Sequence, residues 1–436
     1  MRKYSKKTDQ TKLSFSAKII FILYNQCWKI ILPFLKFIPK IADGFDQRTL
    51  DKNLQPADLW IQCASAGESY LFLEVLNNLN PLKPIKVLAT TNTRQGLEIL
   101  TTACSDIKKN NRNICLSTAY FPFDSPSLMT KAVQMVKPKL MVLVETELWP
   151  GHLAAIKAYG SNILVINARM NEKSLKRYLL WPSLWQRLAP DKILAISEND
   201  KKRFTALFGD KKTDIIPNIK FDRISPTDKT SETFRFSKTF LKPDADVLVL
   251  GSIRSEEEPL VKKIIAEVMD RHPDTIIGLF PRHMNRIENW ENQLTPLNLN
   301  VILRSQVLKE ISPGTVILWD VFGELGAAYG MAKAAFVGGS LAPLGGQNFL
   351  EAITRGLIPV IGPFWDNFAW AGNEIVDQKF VNVASNWKET ADILVNDLKH
   401  PKDRSNVQNA AQQYIDTRKG GAAIACRFIC KYLKES

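Results

Sequence analysis

From residue 59 onward the chain alternates short aliphatic runs with longer amphipathic stretches. The runs LWIQCAS, IKVLATT, KLMVLVE, NILVINA and KILAIS lie in the first half, and DVLVLGS, TIIGLFP, TVILWD, AAFVGG, LIPVIG and FVNVAS in the second. Most lack a polar residue at alternate positions. That predicts strands covered on both faces, as in parallel sheets flanked by helices. Repeated βα units of this length predict an α/β protein with two doubly wound, Rossmann-like sheets. Between the halves, FDRISPTDKTSETFRFSKTFLKPDAD is polar and lacks an apolar period, so a linker and domain boundary are expected within 218–240. The expected organisation is a segment at 1–45, a first domain at 46–225 and a second at 226–436. Ligands of such sheets bind beyond the carboxyl ends of the strands, which makes a cleft between the two domains the expected site.

Ahead of the first strand the pattern changes. Lys18 to Ile41 reads KIIFILYNQCWKIILPFLKFIPKI, with Lys29 dividing its uncharged runs. A membrane span needs about 20 apolar residues, so this segment is marginal as one. Aromatic and aliphatic bulk flanked by lysines suits a helix lying on an anionic membrane surface better. The alternatives are a signal peptide, for which no small-residue cleavage site follows, and an amphipathic core helix. The formal net charge is +14, of which residues 1–40 hold +8, from nine Lys or Arg against Asp9. The rest of the 436-residue chain is therefore only mildly basic. Nothing resembles a nucleic-acid module, and the basic opening is assigned to lipid. Six scattered cysteines form no disulfide framework, and Cys426 and Cys430 have no further Cys or His pair nearby to complete a metal site. A reducing cytoplasm and no structural metal are expected.

Several strand exits carry groups able to do chemistry. In IQCASAGESYLFLEVLNNL, Ser65 and Glu68 form S-x-x-E, a helix capping box, and Gly67 gives the turn room. Capping accounts for Glu68 on its own. A carboxylate in a first helical turn is also expected to stay ionised through the helix dipole, and facing a cleft it can take a proton from a hydroxyl nucleophile. LMVLVETELWPGHL ends a strand with Glu145 and Glu147, and Pro150 predicts the next helix start. Either both carboxylates reach the cleft or one caps that helix. Arg169 ends another strand, where a ligand would lie, and is a candidate anion contact; with Lys173, Lys176 and Arg177 it otherwise reads as part of a solvated helix face. Arg94, in ATTNTRQG, is a possible anion contact or part of an ordinary loop. In the second half LGSIRSEEE carries Arg254 and an acidic helix start, and FPRH ends a strand with Arg282 and His283. WDVFGELGAAYGMA starts a helix around Gly323. FVGGSLAPLGGQNFLEA has two glycine pairs, Gly338–Gly339 and Gly345–Gly346, then a helix expected near Asn348 with Glu351 in its first turn. Backbone amides there are expected to approach a phosphate, and Glu351 a ribose. The loop is neither a G-x-G-x-x-G fingerprint nor a P-loop.

Taken in order, these segments resemble the 3-deoxy-D-manno-octulosonic acid (Kdo) transferase family, from about residue 59 to beyond 370. ASAGES, ETELWP, NAR with Ser174 five residues after its Arg, IKFD, PRH, GEL followed by YG, AFVGGSL and GGQNFLEA all match in order. The resemblance implies the GT-B architecture, two Rossmann-like domains facing a cleft, with a last helix that returns to the first domain. It implies an inverting glycosyl transfer from CMP-Kdo to a lipid A-type acceptor, without cofactor or catalytic metal, at the cytoplasmic face of the inner membrane. By resemblance Glu68 is the general base and Glu147 a second carboxylate of the site. Arg282 and His283 face the CMP phosphate, Gly323 and Leu325 the cytosine, and Asn348 and Glu351 the phosphate and ribose. Ser340, Gly346 and Gln347 complete the donor loop.

The chain departs from the family pattern at defined places. Gln347 stands where the family has His, Phe349 where it has Pro, and Arg254 where SIRSEEE replaces S-T-H-E-G-E-E. The His that precedes the first Ser is missing from IQCAS, and the family's R-x-G-E-R-x-G region is not recognisable in IADGFDQRTLDKNL. Gln hydrogen-bonds through both amide ends but carries no positive charge, which Arg254 would supply instead. A transferase with another nucleotide-activated sugar or acceptor, or a weakly active nucleotide-sugar- or lipid-binding homologue, is the alternative reading.

Overall fold

The computed structural model describes residues 15–110, 113–224 and 239–435. The basic opening at 1–14 and most of the expected linker, 225–238, lie outside them. The chain forms two compact units, Met1–Ile224 with Arg418–Ser436, and Ser225–Thr417.

The first unit holds seven parallel strands: β1 (Leu59–Cys63), β2 (Ile85–Thr91), β3 (Ile114–Tyr120), β4 (Leu140–Val144), β5 (Asn162–Ala168), β6 (Lys192–Ala195) and β7 (Thr213–Ile215). Their order is β3-β2-β1-β4-β5-β6-β7, so the sheet reverses direction of growth between β1 and β4. The absence of polar alternation has a direct cause. Met141 and Leu143 of β4 pack into the core on one face, with Trp60, Ile163 and Val165. Leu140, Val142 and Val144 pack on the other, with Ile61, Leu71 and Val75. The closing helix Gly421–Glu435 lays Ala422, Ala425, Cys426 and Ile429 into this second core. Its entry is fixed by the Asp222 carboxylate, which accepts from the Gly420 and Ala422 amides at 2.6 and 2.7 Å.

A helix at Phe15–Leu35 lies against the same unit. Its Tyr24 hydroxyl donates to Asp124 Oδ2 at 3.0 Å, its Asn25 Oδ1 accepts from the Ser125 hydroxyl and the Ser127 amide, and Trp28 packs on Phe123 with ring centroids 5.8 Å apart. The outer side is apolar: Ile22, Leu23, Ile30 and Phe34 are all exposed. Among the described residues no helix is long and apolar enough to cross a membrane.

The second unit repeats the design with β8 (Val247–Ile253), β9 (Ile276–Pro281), β10 (Asn300–Leu303), β11 (Thr315–Leu318), β12 (Ala334–Val337), β13 (Val360–Ile361) and β14 (Asn382–Val383). The order is β10-β11-β9-β8-β12-β13-β14, again all parallel, and here the reversal falls between β8 and β12. In open α/β sheets such a reversal opens a crevice at the carboxyl ends of the two central strands. Both units therefore have a ready-made site, at the exits of β1 and β4 and of β8 and β12.

Candidate active-site faces of the two units

Chain leaving β1 turns at once into the helix Ala66–Asn78. Ser65 caps it, its Oγ accepting from the Glu68 amide at 3.5 Å and donating to Glu68 Oε1 at 3.2 Å. Glu68 Oε2 reaches one residue past the cap and accepts from the Ala64 amide at 2.7 Å. The Ser65 half of the expected capping box is thus present, while the Glu68 carboxyl bonds the Ala64 amide instead of the Ser65 amide, which points the half-buried group back over the end of β1. The expectation that the helix dipole keeps Glu68 ionised fails. Burial, and then the charge of Glu147, outweigh the amide hydrogen bond and push its pKa up to about 8.

At the neighbouring exit of β4 the two acidic residues divide their tasks. Glu145 takes left-handed backbone, φ 59°, which side chains other than glycine seldom adopt. Its buried carboxylate pairs with Arg169 Nε at 2.7 Å and Lys220 Nζ at 3.4 Å. Glu147 accepts from the Trp149 indole at 2.8 Å. Its pKa is raised by burial, only partly offset by hydrogen bonds from Trp149 and Gln62. Pro150 begins the following helix as expected, and neither carboxylate caps it. Glu68, Glu145 and Glu147 therefore share one electrostatic neighbourhood at the switch point of the first sheet. Arg169 spends its charge on Glu145. Arg94 stands apart at the surface, where it pairs with Glu98 at 3.0 Å.

Lys220 carries no sign in the sequence beyond its place in IKFD. It sits on the short helix Ile219–Asp222, capped by Asn218, and burial lowers its pKa despite the pull of Glu145. Its ion-pair partner Glu145 is 75 residues away in the chain, so no spacing rule could have found the pair.

In the second unit the organising residue is also one that pattern did not single out. Glu257 is fully buried. Its Oε1 accepts from the Arg254 amide at 3.0 Å and the Gly339 amide at 2.5 Å, and its Oε2 lies 3.4 Å from the Leu341 amide. A Cβ at Gly338 would run into this carboxylate. The first glycine pair thus brings the exit of β12 against an internal carboxylate, and those amides are not open to a phosphate as expected. Ser340 is likewise internal: its hydroxyl donates to Val337 O and accepts from the Gly362 amide, bracing β12 against the exit of β13.

The second pair lies further out. The Gly346 amide donates to Gly339 O at 2.7 Å, folding Gln347 back over Gly339. Asn348 is exposed, and the helix begins two residues later than expected, at Leu350. Phe349 fills a core position against Trp365 and Phe368. Glu351 reaches over Gly326, where any Cβ would collide with its carboxylate. Burial raises its pKa, with Arg355 opposing. Gly323 and Leu325 flank Glu324, which is clamped by the Arg304 guanidinium at 2.9 and 3.0 Å and by the Trp319 indole at 2.7 Å. Arg282 and His283 are exposed at the end of β9, with the Arg282 amide tied to Ile253 O at 2.7 Å. Arg254 lies at the exit of β8, near Glu256, and its Nε is buried without a hydrogen-bond partner. The structure thus gathers Arg254, Arg282, His283, Ser340, Gly346, Gln347 and Asn348 at the exits of β8, β9 and β12, with Gly323, Leu325 and Glu351 around the adjoining helix start. Among the described residues no group of three His, Cys, Asp or Glu side chains could hold a metal ion.

Residues 42–223 match the family model for 3-deoxy-D-manno-octulosonic-acid transferase (kdotransferase). A bifunctional glycosyltransferase/methyltransferase of Fusobacterium nucleatum is 29% identical over 369 residues, 82% of this chain and 56% of that protein. A 3-deoxy-D-manno-octulosonic acid transferase of Haemophilus influenzae is 25% identical over 426 residues, 94% of this chain and 97% of its own. Among solved structures, a glycosyltransferase from Rickettsia africae superposes with a TM-score of 0.55 at 11% identity, covering 88% of this chain and 100% of its own. That likeness concerns the fold alone. With the two parallel seven-stranded sheets, it gives the chain the GT-B α/β fold.

Proposed function

We propose that this chain is a divergent member of the Kdo transferase family, which its similarity to that family supports, and that it moves Kdo from CMP-Kdo to a lipid A precursor, with inversion at the anomeric carbon and without a metal. The observation that carries this reading is Glu68 at the switch point of the first sheet, with its proton affinity raised close to the working pH. A base is most effective when its pKa lies near that pH. In the ionised fraction Glu68 takes the proton from the attacking acceptor hydroxyl as the new glycosidic bond forms. CMP leaves with the electron pair of the bond that breaks.

In the second unit Glu351 and Asn348 are assigned to ribose and phosphate, and Arg282, His283 and Arg254 meet the charge that grows on the departing phosphate. Arg254 and Gln347 together replace the charge and hydrogen-bonding capacity of two missing family histidines. The exposed apolar side of the helix Phe15–Leu35 supports a resting place on the cytoplasmic leaflet of the inner membrane, beside a lipid acceptor.

The decisive experiment incubates the purified chain with CMP-Kdo and tetraacyl lipid A precursor and measures CMP release and product mass, with and without EDTA. Product of the mass of one or more added Kdo units is expected in both. If CMP-Kdo neither turns over nor binds by calorimetry, the donor assignment is wrong. Loss of turnover with EDTA removes metal independence.

A further inference from the structure

The proposed reaction requires Glu68 to lose a proton beside Glu145 and Glu147, and three like charges in one half-buried site repel one another strongly. Among the described residues, the groups that act on Glu68 are the Ala64 amide and Ser65 hydroxyl of its own turn, the Cys63 thiol of β1, Glu145 and Glu147 at the exit of β4, and Lys220. Lys220 is the cation among them; Arg169 pairs with Glu145 at 2.7 Å and its charge also lowers the proton affinity of Lys220.

The turn that carries Lys220 is held on several sides. Asn167 Oδ1 accepts from the Ile219 amide at 2.9 Å, Asn218 Oδ1 from the Lys220 amide at 3.0 Å, and Asp222 receives the start of the closing helix. It lies against the helix Ala66–Asn78, where the Arg223 guanidinium stacks 4.5 Å over the Tyr70 ring. Glu68 is two residues before Tyr70, in the same helix's first turn, and Lys220 is one turn before Arg223. The ammonium is thereby delivered to Glu145 at 3.4 Å, near enough to Glu68 for the two charges to attract.

We propose that Lys220 is a positioning residue for the transfer reaction: by offsetting Glu145 it lets Glu68 take on negative charge next to two other carboxylates. The inference rests on the reading of Glu68 as the base, yet its first test needs no turnover. The full chain, labelled with ¹³C at the glutamate carboxyls, is titrated by NMR from about pH 5 to about pH 10, a window that brackets the Glu68 midpoint. The Glu68 signal is assigned from Glu68→Gln. Lys220→Met raises the Glu68 midpoint by about one pH unit, and Lys220→Arg leaves it near the parent value. Glu145→Gln, which removes the neighbouring charge and releases Lys220, lowers it. A midpoint unmoved by Lys220→Met, or moved as much by Lys220→Arg, overturns the proposal.

The rising limb of kcat/KM for CMP release with CMP-Kdo and acceptor is read on the same variants, and it follows the NMR midpoints. Midpoints that shift in a chain without transfer activity would remove the proposed function and leave the charge balance standing. Transfer that proceeds while the midpoint stays fixed removes the role of Lys220 alone.

Discussion

Glu68 keeps its proton to about pH 8 in the folded chain, against an ordinary value of 4.5. A group whose folded pKa lies above its unfolded one contributes stability that is complete below the lower value and is lost as pH climbs through the upper. Glu68→Gln keeps the acceptor for the Ala64 amide and has no proton to lose. Its thermal midpoint should equal that of the parent near pH 4.5 and exceed it by about 3 °C or more at about pH 9, while transfer activity falls at least about 100-fold. Thermal denaturation across that range is the check, and an offset independent of pH would refute the assigned cause. The same substitution at Glu257 moves stability in the opposite direction. Its two oxygens serve the Arg254, Gly339 and Leu341 amides, so Glu257→Gln turns one acceptor into a donor that faces an N–H. A loss of about 2–4 kcal/mol in urea denaturation is expected.

At the scale of elements, the central strands were readable because both faces of each are buried. The strands that pattern does not reveal are β3, β7 and β10, and all three are sheet edges. β3 reads ICLSTAY, with Cys115 exposed and Ser117 and Thr118 half-buried, so no continuous apolar run marks it. The same logic divides the candidate site. Glu68 and Glu147 were legible because a capping box and a strand end are local signals. The partnerships of Glu145 with Lys220 and of Glu257 with Gly339 cross 75 and 82 residues, so only the folded chain reveals them. The helix Phe15–Leu35 is an intermediate case. Its aliphatic residues announce a helix, and its attachment depends on Tyr24, Asn25 and Trp28. Trp28→Ala removes the packing on Phe123, at a cost of about 2–3 kcal/mol to a helix held by few contacts. Amide exchange over residues 19–35 should then quicken at least about tenfold, with the exchange of β1, β4 and β5 unchanged.

On the scale of the whole molecule, the chain crosses twice between its units, and this makes their stabilities separable. The second unit is continuous, Ser225–Thr417, whereas the first is completed only by the closing helix. That helix buries Ala422, Ala425, Cys426 and Ile429 against Val75 and its neighbours, and two of its first amides are held by Asp222. Its apolar burial is worth roughly 5 kcal/mol, a large part of the margin by which a domain stays folded. A chain that stops at residue 417 should therefore lose the unfolding transition of the first unit and keep that of the second. The fragment 225–417 should fold by itself and bind CMP in calorimetry, because every donor-side residue assigned above, from Arg254 to Glu351, lies within it. The two shortened chains separate two explanations of inactivity: a truncated chain that binds CMP but makes no product has lost the Glu68 half of the reaction, and with it the base. If the fragment folds and fails to bind CMP, the nucleotide does not rest on the exits of β8 and β12 alone, and the donor assignments at Asn348 and Glu351 have to be withdrawn.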